Sequence, residues 1–265
     1  MATKPCSIQQ HTLVASAQNA DHQLLSTVLN REVVTVGRLI IFSGTVGFRH
    51  TCIDATVRAI GDMAKENAIP FVATDDSTIF TEQNLNDALA VVWAHTSGTG
   101  LLDATQRSAY EGYTARGGGF AGIHAASDCE RDWALFDELV GARFRSHPTK
   151  RQLQTATVTV ERPDDPSVSM LPAQWRWTDE WYAFDRNPRA DVEVLLTVDE
   201  GTYDPEDSSM GADHPIAWRS KVGAARTWYT SLGHEPTTYE NSMIRSHLWA
   251  GISSVIADDH QLQER

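Results

Sequence analysis

The residues able to do chemistry in this 265-residue chain are histidines set beside small or turn residues, together with one acidic pair. His50, His95, His124, His147, His214 and His234 all fall in predicted loops or at predicted strand ends. Imidazole titrates near neutrality and is the commonest metal ligand, so such a set points to proton transfer or metal binding. The pair Asp179-Glu180 lies inside Trp177-Thr178-Asp179-Glu180-Trp181-Tyr182, bracketed by aromatics. Such flanks partly desolvate a carboxyl group and raise its pKa toward catalytic use. Aromatic faces also suit sugar rings, so this stretch fits a carbohydrate pocket.

His124 has the most telling surroundings. Arg116-Gly117-Gly118-Gly119-Phe120-Ala121-Gly122-Ile123-His124-Ala125-Ala126 combines a glycine-marked helix exit, a short buried strand and a sharp turn among small residues. That is the build of a nucleophile elbow, but imidazole takes the place of Ser or Cys. The usual covalent mechanism is thereby excluded, and proton transfer or metal binding takes its place. His124, Glu180 and Asp179 are therefore the candidate catalytic residues. His50, His147, His214 and His234 are the candidate metal ligands, and Arg49, His95, Trp181 and Tyr182 the candidate substrate contacts. Several imidazoles with a carboxylate and no nearby thiol suit one divalent Zn, Mn, Fe or Ni ion. No His-Glu-x-x-His spacing occurs, so a metal site has to be assembled from distant loops. His147 and His214 precede proline, which biases both to extended backbone. His11, His22, His247 and His260 read as surface or helix residues. Cys129, five residues past His124, is the one thiol near the elbow and the alternative nucleophile.

The elements that must position these residues are periodic. Arg38–Phe42 is a short apolar run suited to a doubly covered strand. A helix follows, with Ile53, Val57, Ile60 and Ala64 on one face. Strands are expected at Pro70–Ala73, Ala90–Ala94 and Gly119–Ile123, and a short helix at Thr81–Asp87. Asp103-Ala104-Thr105-Gln106 resembles a capping box opening a helix to Arg116, and Trp133–Val140 is a helix ended by Gly141. This β-α alternation predicts a parallel sheet covered on both faces. The crevice then lies at the carboxyl ends of the strands, where the loops 43–50 and 95–100 meet His124. Gln154–Val160 alternates with period two. Strand-like stretches continue at Trp177–Phe184, Val192–Val198, Pro215–Arg219 and Ala225–Ser231, and Ser242–Ile256 is a closing helix. The second half thus extends the same sheet. Residues 1–37 read as an appended N-terminal extension, either a poorly ordered one or an arm that packs on a second copy in a homo-oligomer; residues 258–265 read as a tail.

Composition excludes some partners. With 22 Lys+Arg against 35 Asp+Glu, the net charge of −13 disfavours nucleic acid and anionic membrane surfaces. No apolar run approaches a membrane span. Three cysteines without metal spacing fit a reduced, cytoplasmic setting. Gly117-Gly118-Gly119 precedes a strand instead of linking strand to helix, and no phosphate-binding loop occurs, so no nucleotide cofactor is expected.

Six segments, in order, carry a resemblance: Phe42–His50, Gly117–Ala126, Arg145-Ser146-His147-Pro148, Thr178–Tyr182, Met210–Trp218 and Tyr229–His234. Across residues 38–257 the chain resembles the trehalose-utilisation (ThuA-like) family, whose fold is similar to class I glutamine amidotransferases. The resemblance implies a flavodoxin-like three-layer α/β/α sandwich, with a mostly parallel sheet and added strands in the second half. It also implies a link to disaccharide or oxidised-sugar metabolism, with His124 where the amidotransferases carry their cysteine. Where the branch that names the family has a histidine-rich loop, Ala94–Gly100 has His95 alone. The expected function is a carbohydrate-metabolism enzyme acting on a glycoside, disaccharide or keto-sugar by hydrolysis, elimination or isomerisation. The alternative is a non-catalytic sugar-binding or regulatory module on the same fold.

Overall fold

The computed structural model describes residues 37–256. The expected N-terminal extension, all but its last residue, and the expected tail lie outside them. The first half alternates strands β1 (Arg38–Phe42), β2 (Phe71–Thr74), β3 (Ala88–Ala94) and β4 (Gly119–Ile123) with helices. The helices are α1 (Ile53–Glu66), α2 (Glu82–Asn86), α3 (Ala104–Ala115) and α4 (Ala134–Val140). The second half adds β5 (Phe144–Ser146), β6 (Leu153–Val160), β7 (Gln174–Glu180), β8 (Ala183–Phe184), β9 (Glu193–Asp199), β10 (Pro215–Val222) and β11 (Ala225–Thr230), and closes with α5 (Ser242–Val255).

Local signals set the boundaries. Asp103 and Gln106 exchange both bonds of a capping box at the start of α3. Gly141, at φ +86°, ends α4 in a conformation open to glycine. One sheet runs β2-β1-β3-β4-β11-β10-β9-β6-β7. Its first five strands are parallel, and from β11 onward each pairing is antiparallel. β5 and β8 form a separate two-stranded ribbon.

Alternation along the strands builds two cores. Leu39, Ile41, Val92, Ile123 and Trp228 face α1 and α5. Ile40, Phe42, Val91, Trp93 and Tyr229 face the aromatic side chains of α3 and α4. This is a flavodoxin-like three-layer sandwich with antiparallel strands added to one edge. No described helix is long and apolar enough to cross a membrane.

The stretch expected as one strand from Trp177 to Phe184 is broken. β7 ends at Glu180 and β8 begins at Ala183. Between them Trp181 and Tyr182 are both buried, Trp181 in the core under α1 and α5 and Tyr182 in the core under α3 and α4.

Candidate functional site

Two neighbouring parallel strands, β3 and β4, each end on a histidine in the left-handed region: His95 at φ +55° and His124 at φ +50°. Left-handed backbone costs a non-glycine residue about 1–3 kcal/mol and persists where surrounding contacts enforce it. At His124 those contacts are plain. The Tyr229 hydroxyl donates to the His124 carbonyl at 2.8 Å, and His124 Nδ1 meets the Ser231 carbonyl at 2.6 Å. A carbonyl only accepts, so Nδ1 carries the proton and Nε2 is the free nitrogen of the neutral ring. The Tyr182 ring stacks on His124 with centroids 4.1 Å apart.

His124 Nε2 points at a carboxylate and at a second imidazole. It lies 3.2 Å from Glu180 Oε2 and 3.3 Å from His234 Nδ1, while His234 Nδ1 is 3.0 Å from the same Oε2. His50 completes a group whose ligand atoms all lie within 4.8 Å of one another. Its Nδ1 is buried and has no hydrogen-bond partner. On the other side of the carboxylate, Glu180 Oε1 accepts from the Gln152 amide and lies 3.2 Å from His147 Nε2. His147 Nδ1 donates to the Pro148 carbonyl at 2.9 Å, so its Nε2 too is the bare nitrogen of a neutral ring.

The bare Nε2 atoms of His124 and His147 therefore face carboxylate lone pairs; a proton on His234 Nδ1 can bridge Glu180 Oε2 and His124 Nε2, and positive charge reconciles the rest. Protons supply it if the histidines are imidazolium; a divalent cation supplies it directly. The atoms suit a cation. The triangle of His124 Nε2, His234 Nδ1 and Glu180 Oε2 has edges of 3.0, 3.2 and 3.3 Å. Tetrahedral ligands held about 2.0–2.1 Å from a metal lie about 3.3–3.4 Å apart. The Nδ1 of His124, bonded to a backbone carbonyl, has the outer-shell partner that metal-ligating histidines have. Burial works to raise the Glu180 pKa, but imidazoles of His124 and His234 that carry a proton toward Oε2 outweigh it and hold it well below the carboxylate range. Burial, then the neighbouring His124 and His234, lowers His50 to about 3 and keeps it neutral. Burial pulls His234 down too, but the Glu180 hydrogen bond wins and raises it.

The supporting residues are bonded to backbone. Asp179 accepts from the N–H groups of Gly233 (2.9 Å) and His234 (3.0 Å) and so fixes the loop that carries His234. The Tyr239 hydroxyl donates to the Gly233 carbonyl at 2.9 Å and accepts from His95 Nε2 at 2.6 Å. His95 is fully buried, and burial lowers its pKa well below the ordinary value. Asp179 and His95, expected as catalytic residue and substrate contact, thus brace the loop instead.

Other expected residues stand apart. His214 is no neighbour of the cluster: its Nε2 donates to the Tyr182 carbonyl and its Nδ1 pairs with Glu200, both at 2.8 Å. Both its nitrogens are engaged. Trp181 is buried, its indole N–H donating to the Gln154 carbonyl, and offers no face to a substrate. Tyr182 is also buried, but beneath His124. Arg49 is half exposed and 3.8 Å from Asp75. His147 touches Glu180 without joining the four-ligand group. Burial pushes the Cys129 thiol well up, so this alternative nucleophile is not a thiolate near neutrality. The sequence reading missed Gln152, Ser231 and Tyr239. The last two act with or on backbone carbonyls across the fold, a role that leaves no signature in residue spacing.

A cavity of about 740 Å³ opens at the other end of the sheet, beside Val192, Arg219, Lys221 and Arg226. Arg219 is paired there with Glu193 and Asp165, and Arg226 with the Ile256 carbonyl. Among the described residues no group of metal-ligating side chains lines it.

Residues 38–254 match the family described as ThuA, trehalose utilisation. The chain belongs to the ThuA family. Solved ThuA-like structures share its fold. One from Bacteroides uniformis superposes with TM-score 0.71 at 22% identity, over 84% of this chain and 92% of that one. Another, from Parabacteroides merdae, has TM-score 0.63 at 18% identity with the same coverage, 84% and 92%. The β-galactosidase of Bacillus circulans matches with TM-score 0.52 at 12% identity, over 82% of this chain but 31% of the enzyme. No curated protein matches the chain in sequence. Its ThuA membership ties it to carbohydrate use.

Proposed function

We propose that this ThuA-family chain is an enzyme acting on a glycoside, disaccharide or keto-sugar with one divalent metal ion, Zn, Mn, Fe or Ni. The observation that carries the reading is the Nδ1–H bond from His124 to the Ser231 carbonyl. It turns the bare Nε2 onto Glu180 Oε2 and His234 Nδ1, an arrangement that attracts a cation. His124, His234, Glu180 and His50 would hold the ion. A divalent ion there supplies Lewis acidity, polarising a sugar carbonyl or hydroxyl.

The remaining work belongs to the side chains. With His124 and Glu180 committed as ligands, the proton-transfer role first assigned to them passes to His147. Its side chain is 27% exposed and its Nε2 faces Glu180, so it can carry a proton between the cluster and solvent. Tyr182 covers one face of His124 and excludes water from it. Hydrolysis, elimination and isomerisation each need a polarised oxygen and a mobile proton, and the cluster with His147 offers both. The family description, trehalose utilisation, supports a sugar substrate. Two larger proteins that share the fold are named as a β-galactosidase and a carbohydrate deacetylase.

Elemental analysis of untagged protein, purified without chelators, is the test. About one Zn, Mn, Fe or Ni per chain is expected, lost in both His234→Ala and Glu180→Gln. A wild-type chain that neither carries nor retains metal after add-back sinks the metalloenzyme and favours a sugar-binding module.

A further inference from the structure

Sequence reading placed the sugar platform at Trp181 and Tyr182, and both are buried. The opposite case lies across the cluster. Phe48 is 67% exposed and Val46 60% exposed, the two most exposed large hydrophobic residues among those described. Phe48 is also the only exposed aromatic residue among them. Its ring packs edge-to-face with His50, centroids 4.8 Å apart. His50 in turn meets His124 and His234 at 5.1 and 5.4 Å. Phe48 therefore stands beside the polar cluster, with Val46 two residues away on the same loop.

This exposure is built in. The N–H groups of Val46 and Gly47 donate to the Ser97 carbonyl at 3.0 and 3.1 Å. Ser97 Oγ donates back to the Phe48 carbonyl at 2.6 Å. A Cβ placed on Gly98, at φ +86°, would come within 2.4 Å of Gly47 N, so the two loops touch backbone to backbone. A loop held this firmly keeps a phenyl ring and an isopropyl group in water, where both would gain by being covered.

The size of the patch chooses the cover. Together the two side chains offer on the order of 200 Å², against about 800 Å² per partner in a stable protein interface. A small ligand fits. It must show an apolar face to Phe48 and oxygens to the cluster, and a pyranose ring has both, its C–H groups on the faces and its hydroxyls around the edge.

We propose that Phe48, flanked by Val46, is the platform on which a pyranose ring lies while its edge oxygens face the histidine–glutamate cluster. This deepens the sugar-processing reading of that cluster and rests on it. Both positions are exposed, so substitution there leaves the core filled.

The test is saturation-transfer NMR on the full-length, zinc-loaded protein. Methyl glucoside, methyl galactoside and trehalose serve as probes, with acyclic sorbitol as the control that lacks a ring face. Transfer to the ring C–H protons of at least one pyranoside, and none to sorbitol, is expected. Phe48→Ala should weaken that binding about 10-fold with zinc per chain unchanged, and Phe48→Trp should keep it. Equal binding by Phe48→Ala, or no pyranoside bound by the zinc-loaded wild type, overturns the platform. So does a wild-type dimer that Phe48→Ala dissociates, because the cover is then a second copy. Zinc content, measured on the same samples, reports separately on the cluster. A zinc-free wild type whose pyranoside signal still depends on Phe48 would fail the metal reading and keep the platform.

Discussion

Glu180 is a carboxylate with 2% of its side chain exposed, and a buried charge left unpaired costs several kcal/mol. The Gln152 amide donates to one of its oxygens, and the three histidines around it compensate the charge once they carry a proton or hold a cation. The compensation depends on His234 being in place, and that is the work of Asp179. Its Oδ1 accepts from the N–H groups of Glu180 and His234, and its Oδ2 from Gly233 N–H and the Trp177 indole. Four donors share two oxygens. In Asp179→Asn an NH₂ must face two of those donors, so the His234 loop shifts while the core stays packed. Metal affinity should fall about 10–100-fold, the range seen when outer-shell partners are removed. Competition against a chromogenic chelator reads it, with the far-UV spectrum unchanged; equal affinity would refute a positioning role. The cluster histidines stood out because each falls at an expected strand end or in a loop, and Glu180 because aromatics bracket it. The role of Asp179 was not legible, since the N–H groups of Gly233 and His234 that it holds lie more than 50 residues along the chain and are backbone groups.

At the scale of the element, α5 decides a point that residue type obscured. His247 read as a surface or helix residue; it is on the helix, and three residues from Ile244 and one from Leu248 it shares their buried face and is itself fully buried. The helical period was the better guide. Its Nδ1 donates to the Ser167 carbonyl at 2.7 Å, which leaves Nε2 to accept from the Thr230 hydroxyl at 3.2 Å. The helix is thereby tied to the end of β11, just before Ser231. Burial lowers the pKa of His247 from 6.5 to about 4. The sign follows: between these values the unfolded chain binds a proton that the native ring refuses. Its contribution is intact above pH 6.5 and is lost as pH falls toward 4. The loss is on the order of 3 kcal/mol. His247→Gln can keep both bonds without titrating, so its urea-unfolding stability should fall less over this interval than the wild type's. His50 and His95 act in the same direction in both proteins and cancel in the comparison. Parallel pH profiles would remove His247 as a source of acid lability.

For the whole molecule, the question is how the far edge of the sheet reaches its middle. From β11 to β7 there are four strand spacings, about 19 Å in a flat sheet. Yet Asp179 in β7 bonds the N–H of Gly233, three residues past the end of β11. Register supplies part of the answer. Thr157 of β6 pairs with Asp199, the last residue of β9, so residues 153–156 and their partners 177–180 run past the end of β9. Sheet twist then brings the open end of that strand pair over the crevice and sets Glu180, the last residue of β7, beside His124. The parallel half was legible in its β-α alternation, but this overshoot depends on pairings that no single strand encodes. The site therefore joins the two halves of the sheet, with His124 and His50 from the parallel side and Glu180 from the antiparallel side. A metal ion held between them would stabilise the native chain by mass action, about 4 kcal/mol at a thousandfold excess over Kd. Stripping with a chelator should lower Tm, and zinc should restore it in wild type but not in His124→Ala. Amide exchange should slow on metal addition at residues 177–182 and 231–235 together, because the ion ties β7 to the loop after β11. A Tm indifferent to both chelator and metal would mean that hydrogen bonds alone hold the projecting ends of β6 and β7 down.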